Sequence, residues 1–178
     1  FGEVGITLDE TNVDGKDSSG NPNSDTSRDT YNTYHIVPGN PVDKDPQVHV
    51  EKGSEPSYVF VRVDNQFGAN AQLNINNEQW ASVEGYTDLY VYTGTGADNN
   101  NIVTVEAGEG YVDLDKVFTT VTFSYTGEND KTDYEGKNII VTAYAVQANY
   151  LTDDNTPTAN YAEAVKMAAT ALSATESN

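Results

Sequence analysis

Along FGEVGITLDET, residues 1–11, Val4, Ile6 and Leu8 alternate with small or polar neighbours, the period of two expected of a half-buried strand. The pattern then breaks. NVDGKDSSGNPNSDTSRDTYNT holds almost no aliphatic side chain, so residues 12–30 predict an acidic surface loop with nothing to give a core. YHIV resumes as a short strand, which VPGNPVDKDP ends, because Pro38, Pro41 and Pro46 cannot donate to a ladder and bias their predecessors toward extended backbone. QVHVEKG and SYVFVRVDN follow as two alternating runs, separated by a turn at Gly53, Ser54 and Pro56.

Further strand candidates are AQLNINN, WASVEGYTDLYVYTG, NIVTVEAG, VFTTVTFSY and NIIVTAYAVQANYL. They are short, β-branched and aromatic, and Gly, Asn and Asp punctuate them at hairpin-like intervals. This pattern predicts a mainly β protein, an antiparallel jelly-roll-type β-sandwich. The tail is the exception: Thr158 is placed to cap a short C-terminal helix over 158–173, with Tyr161, Val165, Ala168 and Leu172 on one face. That helix either packs on the sheets or frays. Without a repeat or a Pro/Ser linker, residues 1–178 read as a single domain.

Charge narrows the partners. Twenty-eight acidic against nine basic residues give a net charge of −19, which repels nucleic acid and anionic membrane surfaces and makes self-association depend on salt or divalent cations. The absence of cysteine excludes disulfides, thiolate metal sites and cysteine nucleophiles. No apolar run approaches the roughly 18 residues of a membrane span, so membrane insertion is not expected. The chain starts at Phe1 rather than Met, which reads as a mature form from which a signal peptide has been removed.

Catalytic patterns are missing. His35 and His49 are the two histidines; each falls in a predicted strand, with no H-E-x-x-H pair on a helix, and each reads as a strand histidine with a satisfied hydrogen bond. G-x-S-x-G is absent, so no serine nucleophile is indicated. GTGAD and GEGY lack the phosphate-loop pattern and read as hairpin turns. Asp9, Asp14, Asp17, Asp25 and Asp29 are weak calcium candidates whose spacing departs from the D-x-[DN]-x-[DN]-G loop, against a plain solvated acidic loop. Trp80, with Tyr86, Tyr90 and Tyr92, forms a candidate glycan-stacking platform, against the ordinary role of aromatic strand residues with buried rings.

VPGNPVDKDPQVHVEKGSEPSYVFVRVDN, then W-x5-YTDLYVYTG, VFTTVTFSY and YEGKNIIVTAYAVQA, together resemble the TasA/camelysin family of secreted Gram-positive proteins, whose signal peptides are cut by a dedicated signal peptidase. The most specific pieces are PGNPVDKDP leading into YVFVRV, and the closing VTAYAVQA. The resemblance implies a jelly-roll sandwich, export to the extracellular matrix or cell surface, and assembly into homopolymeric biofilm fibres, alone or with other matrix or cell-wall components. It also carries a metalloprotease label, which two separated histidines do not support; a non-enzymatic protein without cofactor is expected.

In fibre-forming relatives an N-terminal strand enters the neighbour's sheet, so Phe1, Val4, Ile6 and Leu8 are the candidate donor strand. The same residues equally suit the first strand of the chain's own sandwich. The acidic insertion is longer than the family pattern needs, and the stretch ahead of the first strand is expected to be missing from this form. A cell-surface binding module for glycan or a host partner is the alternative function. On either reading the proline-rich stretch is architecture, stopping one strand and aiming the chain into the next.

Overall fold

The computed structural model describes residues 3–17, 19–22, 28–108, 110–124 and 131–178. Among them the strands, in chain order, are β1 (Ile6–Thr11), β2 (Arg28–Asp29), β3 (Pro41–Asp43), β4 (Gln47–Val50), β5 (Ser57–Asn65), β6 (Ala71–Leu73), β7 (Trp80–Ser82), β8 (Leu89–Tyr92), β9 (Val112–Asp113), β10 (Thr120–Phe123) and β11 (Ile139–Gln147). One helix, α1 (Pro157–Leu172), closes the chain. Three antiparallel sheets run β2-β1-β4-β9, β3-β10-β6 and β11-β5-β8-β7. The chain is thus mainly β, with a sandwich-like arrangement and a short C-terminal helix.

The layering follows from β5. Val59, Val61 and Val63 point to one face and Tyr58 and Phe60 to the other, and all five are buried. The valine face joins Val48 and Val50 of β4, Trp80 of β7, and Val121 and Phe123 of β10 in a core shared by all three sheets. The aromatic face packs on Ala164, Ala168 and Ala169 of α1. A strand covered on both faces tolerates a continuous apolar run, which is why YVFV interrupts the alternation. β11 pairs with β5 over nine residues, from Ile139↔Asn65 to Gln147↔Ser57.

The helix begins one residue before the predicted 158–173. Its cap is Thr156 rather than Thr158: the Thr156 hydroxyl accepts from the Ala159 amide at 3.3 Å, and Pro157 takes the first turn, where its missing N–H is no loss. The predicted face is right, with Ala168 buried and Tyr161, Val165 and Leu172 packed against the second core. Beyond the helix, Thr175 donates to the Asp88 carboxylate from its amide (2.8 Å) and hydroxyl (2.9 Å), so the tail is tied to the β7–β8 hairpin rather than frayed.

Three strand expectations need correction. YHIV is not a strand; residues 37–40 form a turn in which the Asn40 amide donates to the Val37 carbonyl at 3.0 Å, with Pro38 second and Gly39 at φ 86° third, the type II sequence preference. Pro41 does not end a strand but opens β3, an edge strand where the missing donor faces no partner. NIVTVEAG contributes only bridges of Val103 to Ser57 and Ala97. The 12–30 stretch is not wholly a solvated loop either. Arg28 and Asp29 pair with Thr11 and Glu10 of β1, and Asp29 is buried.

Candidate functional site

Two strand edges frame a concavity. Among the described residues β11 lies at the end of its sheet, and β2 covers the outer edge of β1 at Glu10 and Thr11. Between β1 and β11 runs a groove of ≈ 630 Å³ whose walls include Leu8, Glu10, Ile139 and Val141, with Val42, Phe67, Val121 and Phe123 in its apolar floor. Its rim is greasy as well: Tyr31 is 60 % and Ile140 43 % exposed, and both line it. Strand edges offer main-chain donors and acceptors, so an apolar trough between two of them is chemically suited to an added strand.

A charged cluster closes one end of the groove. The turn at 37–40 and the short β3 carry the chain back across the sheets, and the Lys44 amide donates to the Thr119 carbonyl at 3.0 Å. This delivers Lys44 and Asp45 beside β1. Lys44 Nζ lies 2.6 Å from Glu10 Oε2, with only 13 % and 8 % of the two side chains exposed, and stands over the Tyr34 ring at 5.2 Å. The Glu10 Oε1 accepts from Asn32 Nδ2 at 3.1 Å, and Asn32 Oδ1 accepts from the Val13 amide at 2.9 Å. Burial, and the Glu10 carboxylate close by, push the Tyr34 hydroxyl far above the normal phenol range.

Around this pair lies a wider ion network. Arg28 bonds to the Asp9 carboxylate and to Asp45 Oδ2 at 3.0 Å, and Lys116 reaches the same Asp45 oxygen at 2.7 Å. Burial works against the Asp45 charge, but Lys116, the Thr11 amide and hydroxyl, and Arg28 overcome it and hold the carboxyl well below the usual range. His49 bridges three strands, its Nδ1 2.6 Å from Asp113 of β9 and its Nε2 2.9 Å from Asp9 of β1. Burial lowers its basicity, yet the two carboxylates prevail and raise it.

The residues singled out from sequence fare unevenly. Ile6 and Leu8 belong to the chain's own β1, opposite Val50 and Val48 of β4, and pack on the main core; Val4 precedes that strand, and Phe1 lies outside the described residues. The glycan platform does not exist as read. Trp80 and Tyr92 are fully buried, stacked edge-to-face at 4.9 Å, with the Trp80 indole N–H donating to the Asp115 carbonyl at 2.8 Å. Tyr90 and Tyr86 are half-buried against the two cores.

The calcium candidates do not converge. Asp9 is spent on Arg28 and His49, while Asp14 accepts the Lys16 and Thr33 amides and Asp17 those of Ser19 and Asn21. Asp29 accepts the Thr30 amide at 2.6 Å, and Asp25 lies outside the described residues. Among the described residues no three His, Cys, Asp or Glu side chains group as metal ligands. His49 is the satisfied strand histidine expected; His35 is exposed and outside any strand.

Sequence reasoning missed Glu10, Arg28, Asn32, Lys44 and Asp45 as one constellation, because they come from four separate stretches and carry no motif. The one available signal was KDP, a basic residue held between prolines in an acidic chain. No helix among the described residues is long and apolar enough to cross a membrane. No family model, curated protein or solved structure matches this chain.

Proposed function

We propose that this chain is a secreted, non-enzymatic structural subunit of a bacterial extracellular matrix, and that copies assemble into fibres by adding an extended segment of one to the groove of the next. The observation that carries this reading is the position of β11 at the end of its sheet, with its Ile139, Ile140 and Val141 lining an apolar trough and Tyr31 and Ile140 exposed on the rim. Main-chain hydrogen bonds along the edge would supply affinity, and alternate side chains of the incoming strand would fill the trough. Such a head-to-tail contact does not close on itself, so it propagates.

Because Ile6 and Leu8 are committed to the chain's own sheet, the incoming segment comes from outside β1 or β1 exchanges between copies. The glycan-binding alternative has lost its anchor with the burial of Trp80. A charge on an exposed edge position blocks strand addition while leaving the fold alone. Ile140→Lys is therefore expected to abolish filaments in negative-stain electron microscopy with an unchanged far-UV circular dichroism spectrum. Filaments of normal abundance from this variant would sink the proposal.

A further inference from the structure

The arrangement of Lys44, Glu10 and Asn32 is more than an ion pair. One buried carboxylate holds the Lys44 amine on one oxygen at 2.6 Å and the Asn32 carboxamide nitrogen on the other at 3.1 Å. The amine and the carboxamide are thus gathered around a single side chain, on β1, from the segments that follow β2 and β3. Glu10 and Asn32 are 6 % and 8 % exposed, and the Tyr34 ring walls off the amine. The carboxamide oxygen accepts the Val13 amide at 2.9 Å.

We propose that Lys44 and Asn32 join through an intramolecular amide bond between Nζ and Cγ, with Glu10 as the proton relay. Glu10 takes a proton from the ammonium and frees its lone pair; Nζ adds to Cγ. The charge that gathers on Oδ1 is met by the Val13 amide, already in place. The Cγ–Nδ2 bond then breaks. Two protons from Nζ accompany Nδ2 as it leaves as ammonium, and Glu10 ends as it began, so no oxidant or second substrate is needed.

One feature favours the reaction here over the same groups in water. The amine and the carboxamide are both held on the Glu10 carboxylate by the fold, which lowers the entropic cost of encounter. The product is a covalent ring over residues 32–44, which encloses β3 and locks the proline-rich stretch beside β1. It stands whether or not the groove takes a strand, since its chemistry uses residues of one chain only.

Intact-mass spectrometry of the folded chain tests this. Loss of ammonia lowers the mass by about 17 Da from the sequence value. Trypsin is then expected to leave Lys44 uncut and yield a 29–52 peptide that gives no backbone fragments between Asn32 and Lys44. Lys44→Arg keeps the ion pair but has no primary amine, and Glu10→Gln removes the relay; both are expected at full sequence mass with the native circular dichroism spectrum. A wild-type chain at full mass, a loss that maps to a succinimide elsewhere, or a Glu10→Gln variant that still loses ammonia completely would each overturn the proposal.

Discussion

His49 shows how much one side chain can organise. It stands on β4 directly opposite Asp113 of β9 and reaches Asp9 two positions along from its partner Thr7 on β1. Arg28, from β2, faces the same Asp9. The ring therefore ties β1 and β9 to the β4 strand between them, and more firmly when protonated. Because, against burial, the Asp113 and Asp9 carboxylates raise its folded pKa above the ordinary histidine value, the stabilisation is complete below that ordinary value and is lost as pH rises through the raised one. Thermal melts of the wild type are expected to show Tm falling over that interval, and His49→Gln is expected to flatten the fall. A variant with the wild-type pH profile would place the dependence elsewhere.

Trp80 carries the opposite lesson at the same scale. An indole suits a sugar platform or a core equally well by composition, since it joins a broad apolar body to one donor. Here the donor is satisfied by the Asp115 carbonyl and the ring by Tyr92, neighbours 35 and 12 positions away in sequence. No local pattern announces contacts of that kind.

Elements were legible where one neighbour decides them. The helix is written in TPTANYAEAV: a capping threonine, a proline in the first turn, and apolar positions at helical spacing. Its docking depends on size as much as pattern. Ala164 and Ala168 are fully buried, and small side chains there let α1 lie close to Tyr58 and Phe60, with the Tyr58 and Tyr161 rings 5.4 Å apart. Ala168→Leu is expected to overpack this contact and cost about 1–3 kcal/mol, read as a lower midpoint in urea denaturation. An unchanged midpoint would mean that the helix rides on the sheet with slack. YHIV and NIVTVEAG misled because alternation licenses a strand only where a partner edge is available, and here turns and bridges took those positions.

For the whole molecule, charge and shape act against each other. A net charge of −19 sets copies apart, while the proposed addition of an extended segment at the apolar groove beside β11 would bring them together. On that proposal, screening decides between the two. As ionic strength rises from about 10 mM to about 150 mM, the Debye length falls from about 30 Å to about 8 Å, and filament mass in sedimentation is expected to increase steeply. Equal yields at both concentrations would show that repulsion between copies is not what restrains assembly.

The sequence by itself determined the class of fold. Period-two alternation, β-branched strands and turn residues leave few ways to bury the apolar faces other than stacked antiparallel sheets, and the tail's helical spacing adds its one helix. It also limited the chemistry, since residue types that are absent cannot act. Tertiary structure alone decided which strands share a sheet, which edges stay open, and that Glu10, Asn32 and Lys44 meet. Those outcomes depend on contacts between residues tens of positions apart, settled by packing of the whole chain, and local pattern carries no record of them.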